Sequence, residues 1–435
     1  MIVESSQELQ HVKDAIRAGD SFWIPVYSDA YRHYRENRIS FIYIYTVKED
    51  QDYVVPFHHL DCLTFNTEQL QHLISPHSIF VLGKKRFQKT FGNTCYDADL
   101  FTWWHTNKML PLDETNTTAH DFWHRWWHNE TNINDWLPIT KHLERCVAMR
   151  MVFMQVYNAN KISPEFIAYD METCQAFSDI EYNGVYQSAK SLAYTEYNLY
   201  TSTGRPSNKF GGVNFAALNK EDGSRKLYCS RHAKGMLVEY DYDAYHVRLI
   251  ADLIGYQLPA GSVHTYFGKQ YFDTDNLTEE QYDQSKQITF RLLYGGIDDE
   301  FAQIPFFAAV QKYITTLWKS FKRNGYIVTP IYQRHMFQCN LADMNANKLF
   351  NYLLQASETE YNIKRVLDLN KLLLLYQTKL VLYTYDSFLF DYDMQDGRQL
   401  LIDIRDSMSL QGKFPVKIKA GTNYHEMRDM TSKVS

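Results

Sequence analysis

Residues 235–245, Gly235-Met-Leu-Val-Glu-Tyr-Asp-Tyr-Asp-Ala-Tyr245, pass from apolar to acidic within one strand length. Met236, Leu237 and Val238 have the character of a buried strand, and Glu239, Asp241 and Asp243 follow where that strand would emerge at a site for cations. A second run, Lys379-Leu-Val-Leu-Tyr-Thr-Tyr-Asp386-Ser-Phe-Leu-Phe390, embeds one Asp among apolar and aromatic residues, where an unpaired charge is costly. Two such strands side by side bring Asp241 and Asp386 together. Mg²⁺ suits that pair, because it keeps several waters and binds through one or two carboxylates plus substrate phosphates. Two such ions can clamp both oxygens of an in-line displacement.

The 435 residues are enough for two to four domains, and a hydrophobic content of 45% supplies ordinary cores. Cys62, Cys95, Cys146, Cys174, Cys229 and Cys339 lie far apart with no CxxC pair, which argues against a disulfide framework or a thiolate zinc site and for a reducing compartment. The first twenty residues lack the apolar core of a signal peptide and no stretch approaches a membrane span, so a soluble cytoplasmic chain without a membrane partner is expected. A net charge of −6 argues against coating nucleic acid by bulk charge, yet leaves room for a local basic groove.

From the N-terminus to about residue 110, short helical patterns alternate with strands such as Phe22–Tyr27, Ile39–Tyr45 and Ile79–Leu82, an α/β layer. Tyr96-Asp-Ala-Asp99 opens a helix with an acidic cap. His120, His124 and His128 share a helical face with Trp123, Trp126 and Trp127 nearby; a packed aromatic helix outweighs a metal site there, because no carboxylate at ligand spacing completes the set. Helices are predicted over Lys141–Tyr157 and Pro164–Ile180, with Asn183-Gly184 as the stop. The loop at 200–214 carries Arg205 and Lys209 among glycines and could hold a phosphate backbone, although such loops are more often plain turns. Lys286, Phe290 and Tyr294, spaced by four, put a cation and two rings on one helical face ending at Gly295, suited to a nucleoside triphosphate or to a merely amphipathic helix with a snorkelling lysine.

In their order, these elements resemble the family A DNA polymerases. Thr203-Gly-Arg205-Pro-Ser207 is similar to the family's TGRxS segment, and Asp241-Tyr-Asp-Ala-Tyr-His-Val-Arg248 to its DYSxxxxR strand. Lys286, Phe290, Tyr294 and Gly295 match KxxxFxxxYG, with His264 ahead of them in the finger-entry position. Gly325-Tyr326, Thr329 and Arg334 resemble the GYxxTxxGRR hairpin, and Asn351 and Gln355 match NxxxQ. Tyr385-Asp386-Ser387 stands where the family has its HDE.

The resemblance implies a mixed α/β (α+β) right-hand polymerase: an antiparallel palm sheet and helical fingers, with an RNase H-like exonuclease-type domain before them. The expected division is a degenerate 3′–5′ exonuclease-like domain at 1–145, a reduced helical thumb at 146–200, and palm and fingers at 201–435, the fingers at about 261–325. The implied activity is template-directed DNA polymerisation, a nucleotidyl transfer for DNA replication. Asp241 and Asp386 are the implied ligands of two Mg²⁺ ions, and Lys286 the catalytic cation on the triphosphate. Tyr242, His246, Arg248, His264, Phe290 and Tyr294 are the implied nucleotide-binding residues; Arg205, Asn351, Gln355 and Tyr385 face primer-template DNA.

Departures sharpen the reading. His246 replaces the glutamate beside the sugar, Tyr282 an arginine one turn before Lys286, Tyr385 the metal-strand histidine and Ser387 its glutamate. Only Tyr186–Ser202 separates the turn Tyr182-Asn-Gly-Val185 from the TGR loop, so low processivity or a replisome partner that closes the groove is expected. Pro25, Tyr27 and Lys89 fall where an exonuclease needs metal-binding carboxylates, leaving only Asp97, so proofreading is expected to be lost. The compactness points to a viral member acting in the host cytoplasm. The alternative is a catalytically dormant protein of the same fold that binds primer-template DNA or replication partners.

Overall fold

The structure, a computed structural model, describes residues 1–29, 33–60, 62–92, 94–110, 133–208, 212–259, 261–410 and 412–434. His120, His124, His128 and Lys209 lie outside these residues. Two compact units are present, Met1–Tyr182 and Asn183–Ser435. The boundary falls inside the 146–200 segment read above as a reduced thumb. No described helix is long and apolar enough to cross a membrane.

The first unit is built on a mixed sheet of β1 (Ser21–Tyr27), β2 (Ile39–Thr46), β3 (Gln51–Pro56), β4 (Ile79–Val81) and β5 (Tyr96–Asp97). The strand order is β3-β2-β1-β4-β5, the first three antiparallel and the last two joined in parallel. β2 is buried along its whole length, which is why Ile39–Tyr45 reads as a near-continuous apolar run. Pro25 sits inside β1 at no ladder cost, because β4 pairs only with Ser21–Trp23 and ends before it. Trp23, Ile42, Val81, Phe87 and Phe91 belong to the core on this sheet.

Three lysines of the helix Lys84–Phe91 reach acids of the long helix Pro164–Asn183. Lys84 pairs with Asp170 and Lys85 with Glu181, each at 2.5 Å and buried, and Lys89 pairs with Asp179. Asp97 is the acidic cap expected from the sequence: its carboxylate accepts from the amides of Leu100 and Lys84, both at 2.9 Å.

The second unit opens with the hairpin β6 (Val185–Gln187) and β7 (Ser191–Ala193) and contains an antiparallel sheet of β8 (Gly235–Tyr242), β11 (Lys379–Thr384), β12 (Ser387–Asp393), β13 (Val416–Gly421) and β14 (Arg428–Asp429). The order is β11-β12-β8-β13-β14. A second hairpin, β9 (Tyr326–Val328) with β10 (His335–Phe337), stands apart from it. Along β8 the side chains alternate, Tyr240 and Tyr242 buried and Glu239 and Asp241 half-buried, so one face of its end is core and the other is acidic. The helices Tyr245–Ile254, Val263–Tyr271, Glu279–Gly295, Pro305–Asn324, Ala346–Leu372 and Arg398–Ser409 complete the unit.

The run Lys379–Phe390 is not one strand with an Asp in its middle. It is two antiparallel strands, Thr384 opposite Ser387, joined by the two-residue turn Tyr385-Asp386. The run is apolar throughout because β11 and β12 are both buried, which hides the turn from the hydrophobic pattern.

Candidate active site

Asp241 lies directly across the ladder from Ser387, and the Tyr242 amide donates to the Asp386 carbonyl at 3.0 Å. The β11–β12 turn therefore delivers Asp386 to the end of β8, beside Asp241. Burial, then the neighbouring Asp386 and Glu239 carboxylates, push the Asp241 pKa up to about 6. The Asp386 carboxyl is also raised, by its surroundings and by Glu358. Asp386 is solvent-exposed. Among the described residues no side chain hydrogen-bonds or ion-pairs with either carboxylate. Such a pair, electrostatically strained and open to solvent, fits Mg²⁺, which asks for one or two carboxylates and takes its remaining oxygens from water and phosphate. Among the described residues no set of three or more His, Cys, Asp or Glu side chains is placed as a metal cage.

Around this pair the unit gathers most of the residues singled out above. His246, on the first turn of the helix Tyr245–Ile254, lies 3.0 Å through Nε2 from the Glu358 carboxylate and contacts the Tyr294 hydroxyl through Nδ1. Tyr294 stacks on Phe290, rings 6.1 Å apart and nearly parallel, and Phe290 in turn meets the His264 ring at 5.8 Å. Phe290 and Tyr294 are both exposed in part, and Tyr294 lies within electrostatic reach of Asp386. Arg205 pairs with Glu358 at 3.1 Å and lies over the Tyr385 ring at 3.9 Å. Thr203 donates to Gln355 Oε1 at 3.2 Å, leaving the Gln355 amide donors without a partner among the described residues. Asn351 donates to the Tyr294 carbonyl at 3.3 Å, which ties its helix to the end of Glu279–Gly295.

Three of the expected residues sit differently. The Tyr242 side chain is on the core face of β8, stacked on Tyr245 at 4.1 Å with its hydroxyl donating to the Met408 carbonyl. Arg248 is occupied by the carbonyls of Asp243 and Gly261, at 3.0 and 3.1 Å. Lys286 pairs with Asp283 at 2.9 Å and lies 4.3 Å from the centre of the Tyr282 ring, so the ring in the place of an arginine holds the lysine on the helix surface.

Sequence reasoning missed Glu358, Asn362 and Lys417. Glu358 is fully buried and is the common anchor of Arg205 and His246. Asn362 donates to the Tyr385 carbonyl at 2.8 Å and accepts from the Tyr245 hydroxyl at 2.9 Å, bracing both ends of the site. Both continue the helical face of Asn351 and Gln355 at spacings of three and four, a signal that was available. Lys417 stands opposite Asp241 on β13 and pairs with Asp243 at 2.6 Å. Nothing local in Val416–Gly421 announces it.

Among solved structures, the chain is similar to the POL domain of Pol1 from M. smegmatis, determined in complex with DNA primer-template and dNTP. The TM-score is 0.67, and the match covers 98% of this chain and 100% of that one at 13% sequence identity. The fold is similar to that of a DNA polymerase domain. No family model matches the sequence, and no curated protein does. At this identity the likeness concerns the polymerase-like fold alone. The acidic pair at the end of β8 and the aromatic face of Glu279–Gly295 are observations made on this chain.

Proposed function

We propose that the chain is a template-directed DNA polymerase that adds deoxynucleotides to a primer 3′-hydroxyl by two-metal phosphoryl transfer. The observation that carries this reading is the juxtaposition of Asp241 and Asp386, drawn from positions 145 residues apart in sequence, at the end of β8. The neighbour's bound primer-template and dNTP support the choice of substrates.

When bound, two Mg²⁺ ions would stabilise charge on the attacking and departing oxygens. Asp241, ionised above about pH 6, and Asp386 would hold them. Lys286 would exchange Asp283 for the triphosphate, a small cost because that pair is exposed. Phe290 and Tyr294 would border the incoming base and sugar. His246, fixed between Glu358 and Tyr294, would fill the space beside the sugar as a side chain unable to swing aside. Gln355, its oxygen held by Thr203, would present amide donors to the minor-groove acceptors that all correct pairs share.

Within the same reading, the first unit carries a degenerate RNase H-like exonuclease domain kept for structure or docking. Its order β3-β2-β1-β4-β5 and the use of Asp97 as a helix cap support this. The division at 1–145, 146–200 and 201–435 with a reduced thumb, the missing proofreading, a processivity partner and a viral, cytoplasmic setting belong to the proposal as well. A dormant, DNA-binding relative is the second reading, favoured by Lys286 resting on Asp283 and Tyr282.

Extension of an annealed primer by purified protein with Mg²⁺ separates the two. Incorporation dictated by the template and abolished by Asp386→Ala is expected. No extension by the wild-type chain, or equal extension by the variant, would leave only the dormant protein.

A further inference from the structure

The helix Pro305–Asn324 contains four cations, Lys312, Lys319, Lys322 and Arg323, and no Asp or Glu, in a chain whose net charge is −6. All four are exposed, and among the described residues none is ion-paired. Lys312, Lys319 and Arg323 are spaced by seven and four, which aligns them along one face over about 16 Å. The opposite face, with Phe306, Val310, Ile314 and Phe321, is buried. Lys322 and Arg323 also suit the carbonyl end of a helix, where cations are stabilised. Lys312 and Lys319 lie further back, so that effect does not account for them.

The chain then turns at Gly325 (φ 77°) directly into the hairpin β9–β10. Ile327 and Met336 face its core, and Tyr326, His335 and Phe337 form the outer face. The Tyr326 and His335 rings are parallel at 4.5 Å, and Phe337 meets both at 5.7 Å. His335 is exposed and the other two are half-exposed. A helix with four cations that have no ion pair among the described residues, followed directly in the chain by a small aromatic platform, combines the two features by which single-stranded nucleic acids are held without sequence preference: backbone charge and base stacking. An acidic polypeptide would use the cations and leave the rings idle.

We propose that the cationic face of Pro305–Asn324 and the outer face of β9–β10 form a track for single-stranded nucleic acid. The track shares no residue with the candidate active site. The proposal stands without the polymerase reading, which would only identify the strand as unpaired template.

The test is the anisotropy of a labelled oligothymidylate titrated with the Asp386→Asn chain between about 50 and 200 mM salt. Replacing all four cations with alanine is expected to weaken binding roughly tenfold or more at low salt and to reduce the salt slope by about three, at ~0.7 per neutralised phosphate on a single strand. Tyr326→Ala with His335→Ala should weaken it at least about fivefold with the slope unchanged. Lys312→Ala with Lys319→Ala, both exposed, gives half the slope change if the fourfold variant fails to fold. Unchanged affinity and slope in the cation variants overturn the proposal. So does displacement of the oligonucleotide by polyglutamate together with silent aromatic variants, an outcome that assigns the face to an acidic protein. Failure of primer extension with these effects intact would overturn the polymerase reading alone.

Discussion

Asp241 is the residue on which the electrostatics of the site converge. Its ordinary value of 3.8 rises to about 6 in the folded chain, so the native state binds the proton more tightly than the unfolded state. The advantage is complete below about pH 4 and is lost as the pH climbs through 6; at neutral pH the ionised residue works against folding. Asp241→Asn is therefore expected to raise thermal stability at pH 7.5, by on the order of 1 kcal/mol after allowing for solvent at a half-buried site, and the gain should vanish near pH 4. Melting curves at the two pH values check this. Equal effects at both would mean that the raised pKa of Asp241 is not the cause. The sequence marked Asp241 and Asp386 because acidic residues among apolar ones need a reason. It could not mark Lys417, whose role depends on which strand lies next to β8, or the burial of Glu358, which depends on what covers its helix.

At the scale of the element, the β11–β12 turn decides whether Asp386 reaches its partner. Tyr385 holds φ at 64°, a left-handed conformation that costs a non-glycine residue about 1–2 kcal/mol. Its carbonyl is held by Asn362, and its ring lies under the Arg205 guanidinium. A cation–π contact contributes only about 0.5–1 kcal/mol at a partly exposed site, so the ring does not by itself offset the backbone cost. Tyr385→Gly and Tyr385→Ala both lose the ring, but glycine alone relieves the backbone. The glycine variant is expected to be the more stable of the two by about 1 kcal/mol in denaturant unfolding. An alanine variant as stable as the glycine one would show that the turn is unstrained. Helices with clear spacing, such as Lys286 to Tyr294, were legible to within a few residues, because their periodicity survives in any context. The turn was not: both strands are buried, and Tyr385-Asp386 has none of the glycine or asparagine that usually mark a two-residue hairpin.

For the molecule as a whole, the carboxylates singled out in each unit are put to different uses. In the second unit Asp241 and Asp386 have no direct partner among the described residues, whereas in the first Asp97 is fully buried, caps a helix and is pushed up to about 6 by burial and by Asp170. A carboxylate committed to two backbone amides is a structural acceptor. Asp97→Asn, which keeps an acceptor and removes the charge, should cost less than about 1 kcal/mol, and Asp97→Ala about 2 kcal/mol through the lost cap and an unsatisfied buried amide. Neither should alter the fate of single-stranded DNA, which the wild-type chain is expected to leave untrimmed; metal-dependent trimming from the 3′ end that Asp97→Ala abolishes would contradict this. The mixed α/β class of both units and the position of the acidic pair could be read before the fold was seen. The pairing of Lys84, Lys85 and Lys89 with the helix Pro164–Asn183 could not, because it joins residues more than eighty positions apart.

The most direct test of shared ion binding by Asp241 and Asp386 is to replace Mg²⁺ with Fe²⁺ in the presence of primer-template and nucleotide and to map where the oxidised ion cuts the polypeptide. Cleavage close to both residue 241 and residue 386, lost together in Asp386→Ala, is the expected result. Cleavage near only one of them, or at sites away from both, would contradict the account.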